Sequence, residues 1–439
     1  MATASHPSGS LIFWKENNPN MNLISKIKGL AKHSAVQNGM WMYALQIFNT
    51  VLPLLTLPYI TRILGEAKYG VFSFALNLVS YLQVFIEYGF PLSATRDVVA
   101  ANGDKEKINR IFSGVLFARL WLLAASAVIL GGTLLLFMDD LSQLQCMAVL
   151  AICLVGSCLQ QDWLFQGLQK MKYISLVNII GRVVSVALVF CLVKKPEHLL
   201  LYCLLYSISP LLSGLIGTVL AKRTFALSVI RMKAKEIFQA LKKGFFVFTT
   251  SLSAKIFGAI GITFLGFFSS DETVGIYSAI QKIPQMFMLA WTPVSQVLYP
   301  ISSQKMQGSY KDGRKFVKKM HFLFMIPFAL LSVVIALFSK PVIGLMFGAE
   351  YAAKAFWVVP LLVWMLLGIS NNFLGVQTLL ASGRDKEYSG CFQFGVICTV
   401  VLNFLFIYFG DGLGAAIAPA ISEVLLCGAL LLQIRKIKE

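Results

Sequence analysis

Twelve runs of about 20 mostly apolar residues, each long enough to cross a bilayer, recur along the 439 positions of this chain. They lie at roughly 37–62, 69–91, 113–137, 145–166, 172–193, 198–221, 244–268, 273–301, 319–339, 355–381, 388–409 and 411–433. In hydrocarbon every backbone N–H and C=O must find a partner inside its own segment, so runs of this length fold as spanning helices. The expected fold class is therefore an all-α polytopic membrane protein with about twelve transmembrane helices. Composition agrees: 57% of residues are hydrophobic and 13% charged, about half the charge of an ordinary soluble domain, and mean hydropathy is +0.74. One water-soluble core could not hide that much apolar surface.

Lysine and arginine set the direction. With the N-terminus inside, the segments facing the cytoplasm hold 28 of the 38 basic residues. The opposite segments hold six: Arg62, Lys68, Lys194, Lys195, Lys340 and Lys354. That bias places both termini in the cytoplasm, and the acidic outer turns with Asp139, Asp140, Asp271 and Glu272 fit it. The net charge of +18 belongs to short segments between spans rather than to one domain, which argues for an anionic leaflet and against nucleic acid as partner. The expected organisation is a cytoplasmic segment (1–36), a first six-helix lobe (37–221), a cytoplasmic linker (222–243), a second lobe (244–433) and a tail (434–439). Residues 1–20 lack the apolar core of a signal peptide. Met21 opens an amphipathic stretch, MNLISKIKGLAKHSAVQNG, expected to lie on the inner surface and to mark the true start of translation. All eight cysteines fall within spans, without a C-x-x-C pair, and the four histidines are scattered; this pattern points to no metal site and no cofactor.

The two halves echo each other. Gly70-Val71-Phe72-Ser73 opens span two, and Gly275-Ile276-Tyr277-Ser278 opens span eight at an offset of 205, at which Asn77 corresponds to Lys282. A GLQKMKY segment joins spans four and five, and SGRDKEY joins spans ten and eleven. Six spans per half make such a repeat parallel, with its axis along the membrane normal and the substrate site between the halves near mid-membrane.

Four basic residues lie within spans: Arg119, Arg182, Lys255 and Lys282. A charge at mid-bilayer costs at least ~2.5–3.5 kcal/mol, so it faces a cavity or a partner. Lining a cavity, these groups would stabilise an anionic substrate, with arginine able to hold its oxygens bidentately. Alternatively they form interhelical ion pairs, Arg182 with Asp162 or Lys282 with Glu423. Polar stripes at helical spacing support a cavity wall: Gly275, Ser278, Lys282 and Gln285 in span eight, Gly70, Ser73 and Asn77 in span two, and Gln46, Asn49 and Thr50 in span one. Asp162, Glu87 and Glu423 are acids able to couple a proton or sodium gradient, and no motif selects between the two ions. Pro53 and Pro58 bracket one turn of span one, either as a flexing point or as a static kink.

Three segments carry a family resemblance: LPYITRILGEAKYGVFSFALN (57–77), EYGFPLSATRDV (87–98) and DWLFQGLQKMKYISLVNIIGR (162–182), with LMFGAEY (345–351) a weaker fourth. With these the chain, from about residue 21 onward, resembles the bacterial polysaccharide (O-antigen type, Wzx-like) flippases of the multidrug/oligosaccharidyl-lipid/polysaccharide exporter superfamily. The resemblance implies two six-helix lobes around a central cavity, alternating access and a place in the bacterial inner membrane. It implies undecaprenyl-diphosphate-linked oligosaccharide as cargo, and a polysaccharide polymerase and chain-length regulator as downstream partners. Arg62 and Arg96 fall in the resembling segments and join the candidate substrate contacts, although snorkelling and topology explain them as well. A drug antiporter of the same superfamily is the main competitor; it would call for an acidic cavity, whereas the excess here is basic. A membrane glycan polymerase or transferase fits less well, because the loops are short and hold no cluster of His, Asp and Glu.

Overall fold

The structure, a computed structural model, describes residues 34–137 and 140–437. Met21, most of the amphipathic stretch and Asp139 lie outside the described residues. Among the described residues no strand occurs, and nine helical stretches are long and apolar enough to cross a membrane. Two of the nine hold a pair of spans each. Ser34–Glu87 would extend about 80 Å as one rod, far more than a bilayer core of about 30 Å, and it breaks at Gly65, whose φ is 74°. Asp385–Arg435 breaks at Asp411, with φ 50°. Asp271–Gly308 supplies a further span, made less apolar by its polar stripe and interrupted by Pro284, Pro293 and Pro300. The resulting twelve spans are 34–64, 66–87, Lys105–Phe137, 141–159, Met171–Leu192, Leu199–Arg223, Ala234–Phe268, Asp271–Gly308, Tyr310–Leu337, 355–382, 385–410 and 412–435. An even number puts residues 34 and 435 at the same end of the bundle; the opposite end carries Gly65.

Spans one to six pack together as one lobe and spans seven to twelve as the other. Small residues let the helices approach. A Cβ at Gly214 would lie 2.6 Å from the carbonyl oxygen of Gly156, and one at Gly181 would lie 2.6 Å from that of Ser209. With no hydrophobic drive between helices in lipid, such close backbone contact is what holds them. Span seven starts at Ala234, earlier than the apolar run alone indicates. The connection before it lies along the first lobe, where the Ser228 amide donates to Asn109 Oδ1 (3.0 Å) and the Ile230 amide to Ser113 Oγ (2.8 Å).

The repeat is visible in three dimensions. At the Gly65 end, spans two and eight cross so closely that a Cβ on Gly70 would sit 1.8 Å from the Asp271 carbonyl oxygen. Reciprocally, a Cβ on Gly275 would sit 1.9 Å from that of Glu66. Gly70 and Gly275 stand 205 residues apart, as do Glu66 and Asp271, so the two contacts are equivalents of each other under the repeat and the crossing lies on the pseudo-two-fold axis itself. The turns before spans five and eleven also match. Gln169 and Gly383 adopt left-handed φ of 59° and 77°. The Lys170 and Arg384 amides each reach back five residues, to Phe165 (2.8 Å) and Leu379 (3.0 Å).

Two of the resembling segments form one packed unit. Phe90–Ala100 leaves span two through Tyr88 and Gly89, both left-handed. It rests on Asp162–Gly167, where Thr95 Oγ1 donates to the Trp163 carbonyl (2.9 Å) and Val98 leaves no room for a Cβ at Gly167.

Candidate substrate cavity

A cavity of about 600 Å³ lies in the first lobe, walled by spans one, two, four, five and six and closed on its side by span eight of the second lobe. Tyr69 lies about 6 Å along its helix from Gly65 and Gln83 about 27 Å along it, so the cavity runs through much of the membrane thickness. At the level midway down, Arg182 of span five and Lys282 of span eight face it. Arg182 Nη1 donates to Asn49 Oδ1 (2.8 Å), and Lys282 Nζ to Gln285 Oε1 (3.2 Å). Nearer the far end, Asp162 accepts from Gln160 Nε2 (2.7 Å) and from Asn178 Nδ2 (3.2 Å).

Ion pairing does not account for these charges. Among the described residues the pairs within 4 Å are Lys107–Asp104, Arg110–Glu106, Lys243–Asp97 and Arg384–Glu387, all exposed or half-buried and none in the cavity. Arg182 and Asp162 are held by amides instead of by each other. Glu423 is buried in the second lobe, where Asn371 Nδ2 donates to its carboxylate (2.6 Å) and to its carbonyl (2.9 Å); it does not pair with Lys282. Neutral partners hold each cation in place without cancelling its charge, so the mid-level of the cavity is electropositive.

Other expected site residues fall elsewhere. Lys255 lies on span seven with its Nζ 5.7 Å from the Tyr81 ring centroid, close enough to Lys282 for the two charges to interact. Asn77 ties the lobes together, donating to Thr263 Oγ1 (2.8 Å) and the Ala259 carbonyl (3.2 Å) of span seven. Arg119 is buried, donates to the carbonyls of Ser157 and Gln160 where span four ends, and lies over the Phe90 ring at 5.9 Å. Glu87 is its acidic neighbour and borders a recess of about 40 Å³ between spans two and seven. Arg62, exposed at the Gly65 end, donates to the Leu345 carbonyl of the other lobe. Arg96 is exposed and donates to the Leu92 carbonyl of its own helix (3.4 Å). Gln46, partly buried on span one, accepts from Thr50 through its carbonyl (2.9 Å). Pro53 lines the cavity, and span one stays helical through both Pro53 and Pro58.

Sequence reasoning passed over one wall of the cavity, formed by Tyr69, Phe72, Tyr202 and Tyr206. The available signal was spacing: the tyrosines of LYCLLYS stand four apart, and Tyr69 and Phe72 three apart, so each pair shares a helix face. Asn178 and Gln160, which hold Asp162, were passed over as well.

A twelve-span helical bundle with a cavity running through much of the membrane thickness is the architecture of a multi-pass membrane transporter. Residues 35–306 match the family described as Polysaccharide biosynthesis protein, and the chain belongs to that family. It is 26% identical over 409 residues to a protein of Escherichia coli (strain K12) named as an O-antigen transporter, covering 93% of this chain and 98% of that one. Among solved structures it is similar to the lipid II flippase MurJ in an inward closed conformation, with a TM-score of 0.72 at 11% identity, over 92% of this chain and 88% of that chain. It is also similar to an inward-facing multidrug resistance MATE family transporter of the MOP superfamily, with a TM-score of 0.70 at 13% identity, over 88% of this chain and 94% of that chain. The chain therefore shares the fold of these two transporters, as the resemblance implied.

Proposed function

We propose that this protein is a flippase that moves undecaprenyl-diphosphate-linked oligosaccharide from the inner to the outer leaflet of a bacterial cytoplasmic membrane, for surface polysaccharide synthesis. The observation that carries the reading is the electropositive mid-level of the cavity, where Arg182 and Lys282 face the lumen with neutral partners. A diphosphate crossing a low-dielectric layer is stabilised by cations held in advance of its arrival. Lys255 adds positive charge beside that level. The lysine and arginine bias supports assigning the Gly65 end to the outer face. On that assignment the crossing of Gly70 and Gly275, the Arg62–Leu345 contact and the bond from Gln143 Nε2 to Asp271 Oδ1 (2.8 Å) close the outer side. Cargo enters from the cytoplasm, and separation of the lobes at this end releases it outward. A polymerase and a chain-length regulator act on the released unit.

Asp162 is the acid that faces the cavity, and we assign coupling to a proton or sodium gradient to it. Replacing it with asparagine removes the gradient dependence of transport in vesicles; full dependence in that variant rules the assignment out.

The direct test is deletion of the gene in its host, followed by measurement of the lipid-linked saccharide pool and of surface polymer. Completed units accumulate on the cytoplasmic side and polymer is lost. An unchanged pool with normal polymer, together with new sensitivity to cationic dyes, would instead identify a drug antiporter.

A further inference from the structure

The basic level of the cavity has a distinct neighbour. Tyr202 and Tyr206 lie about 5 and 10 Å from the Gly65-end start of span six, whereas Arg182 lies about 15 Å from the matching end of span five. The tyrosines therefore occupy the section of cavity between the cations and the closed end. Phe72 of span two backs them, with ring centroids 4.6 Å from Tyr202 and 5.3 Å from Tyr206. Phe72 is 3% exposed and Tyr206 is 37% exposed, so Phe72 serves as the support and Tyr206 presents itself to the lumen. Neither the Tyr202 nor the Tyr206 hydroxyl has a hydrogen-bond partner among the described residues. Asn49 and Ser209 stand on the same cavity wall.

This combination suits one ligand chemistry. An acyl chain wants an apolar wall without unpaired hydroxyls, which cost free energy when covered by hydrocarbon. An organic cation would stack on the rings but would meet Arg182 and Lys282 at the next level. A sugar ring has an apolar C–H face to lay on an aromatic plane and hydroxyls at its edge to meet free phenol and amide groups. Position agrees with chemistry. With a diphosphate at Arg182 and Lys282 and its prenyl chain left in lipid, the first sugars of the cargo extend into the blind end where the tyrosines lie.

We infer that Tyr202 and Tyr206, supported by Phe72, form a saccharide platform that makes the transporter select sugar-bearing prenyl diphosphate over the bare lipid. This inference rests on the flippase reading and deepens it. The test uses the full chain in nanodiscs and two probes: undecaprenyl diphosphate, and the lipid-linked saccharide pool extracted from the host's deletion strain. The wild type binds the saccharide-bearing lipid about tenfold more tightly than the bare lipid, the increment expected of two aromatic contacts. In Tyr202→Ala and Tyr206→Ala the difference between the two lipids shrinks to a few-fold or vanishes, while Tyr206→Phe, which keeps the ring, retains it. Alanine variants that keep the full preference overturn the platform and leave the flippase reading standing. Loss of preference in Tyr206→Phe equal to that in Tyr206→Ala overturns stacking as its basis. A wild type that binds neither lipid but binds tetraphenylphosphonium through Tyr206 overturns both readings.

Discussion

Arg119 and Arg182 look alike in the sequence, each a lone arginine in an apolar run, but they do opposite work. Arg119 is spent on the carbonyls of Ser157 and Gln160, which Gln160, leaving the helix at ψ 128°, exposes at the end of span four. Removing its side chain leaves buried acceptors unpaired, at about 1–3 kcal/mol. Arg119→Ala accordingly lowers the unfolding temperature of the detergent-solubilised protein, whereas Arg182→Gln leaves it nearly unchanged and lowers transport. Equal destabilisation by both would show that Arg182 is structural too. Lys282 lines the same cavity as Arg182, and Lys255 stands near Lys282 outside that wall. The double substitution Lys255→Gln, Lys282→Gln abolishes transport while expression stays normal, because glutamine keeps the length and removes the charge that a diphosphate needs. Normal transport by that variant would remove the lysines from the cargo path.

At the scale of elements, the crossing of spans two and eight is the most demanding contact in the fold. Gly70 and Gly275 each stand where a Cβ would come within 2 Å of a backbone carbonyl of the opposite helix. Only glycine permits that approach, and backbone has no rotamer by which to yield. Alanine at either position spreads the helices at the Gly65 end and biases the transporter toward an outward-open state. Labelling of a cysteine placed at Gln285, on the cavity wall, by a maleimide that cannot cross the membrane reports the change. Its rate from outside rises in Gly70→Ala and in Gly275→Ala above the background of the native cysteines. Unchanged rates would mean that the crossing does not gate the cavity. Span eight itself shows why propensity rules for soluble helices fail here. It runs helically through three prolines, a pattern tolerated in a membrane because neighbouring helices and side chains satisfy the freed groups. Between Pro293 and Pro300 the span is also braced from outside, where Gln377 of span ten donates to the Ser295 carbonyl (2.9 Å).

For the whole molecule, the number of spans and the charge bias make a joint prediction. Twelve spans put residues 34 and 435 at one end, and the 28 to six division of basic residues assigns that end to the cytoplasm. A green fluorescent protein fused after Glu439 is therefore fluorescent, and alkaline phosphatase at the same point is inactive. The reverse pattern would invert the transporter and with it the assignment of the Gly65 end to the outer face.

Span number, helical fold and internal repeat were legible in the sequence, because the bilayer imposes length and hydropathy on each segment separately. Those are local properties, written into every run of about 20 residues. The glycine pair was legible as a repeat through its 205-residue offset, but not as a contact. Which charged residues share a cavity was not legible, since it depends on the rotation of each helix about its axis and on the partner it meets. That is why Asn77 and Lys282, equivalent in the repeat, part company, one binding span seven and the other facing the lumen. The aromatic wall escaped for the same reason: Phe72, Tyr202 and Tyr206 come from spans two and six, and only packing of the first lobe brings their rings together. The sequence by itself determined a membrane-spanning helical protein and its repeat; tertiary structure alone decided which faces meet, because helix packing in lipid is set by the fit of small residues between helices rather than by any pattern within one of them.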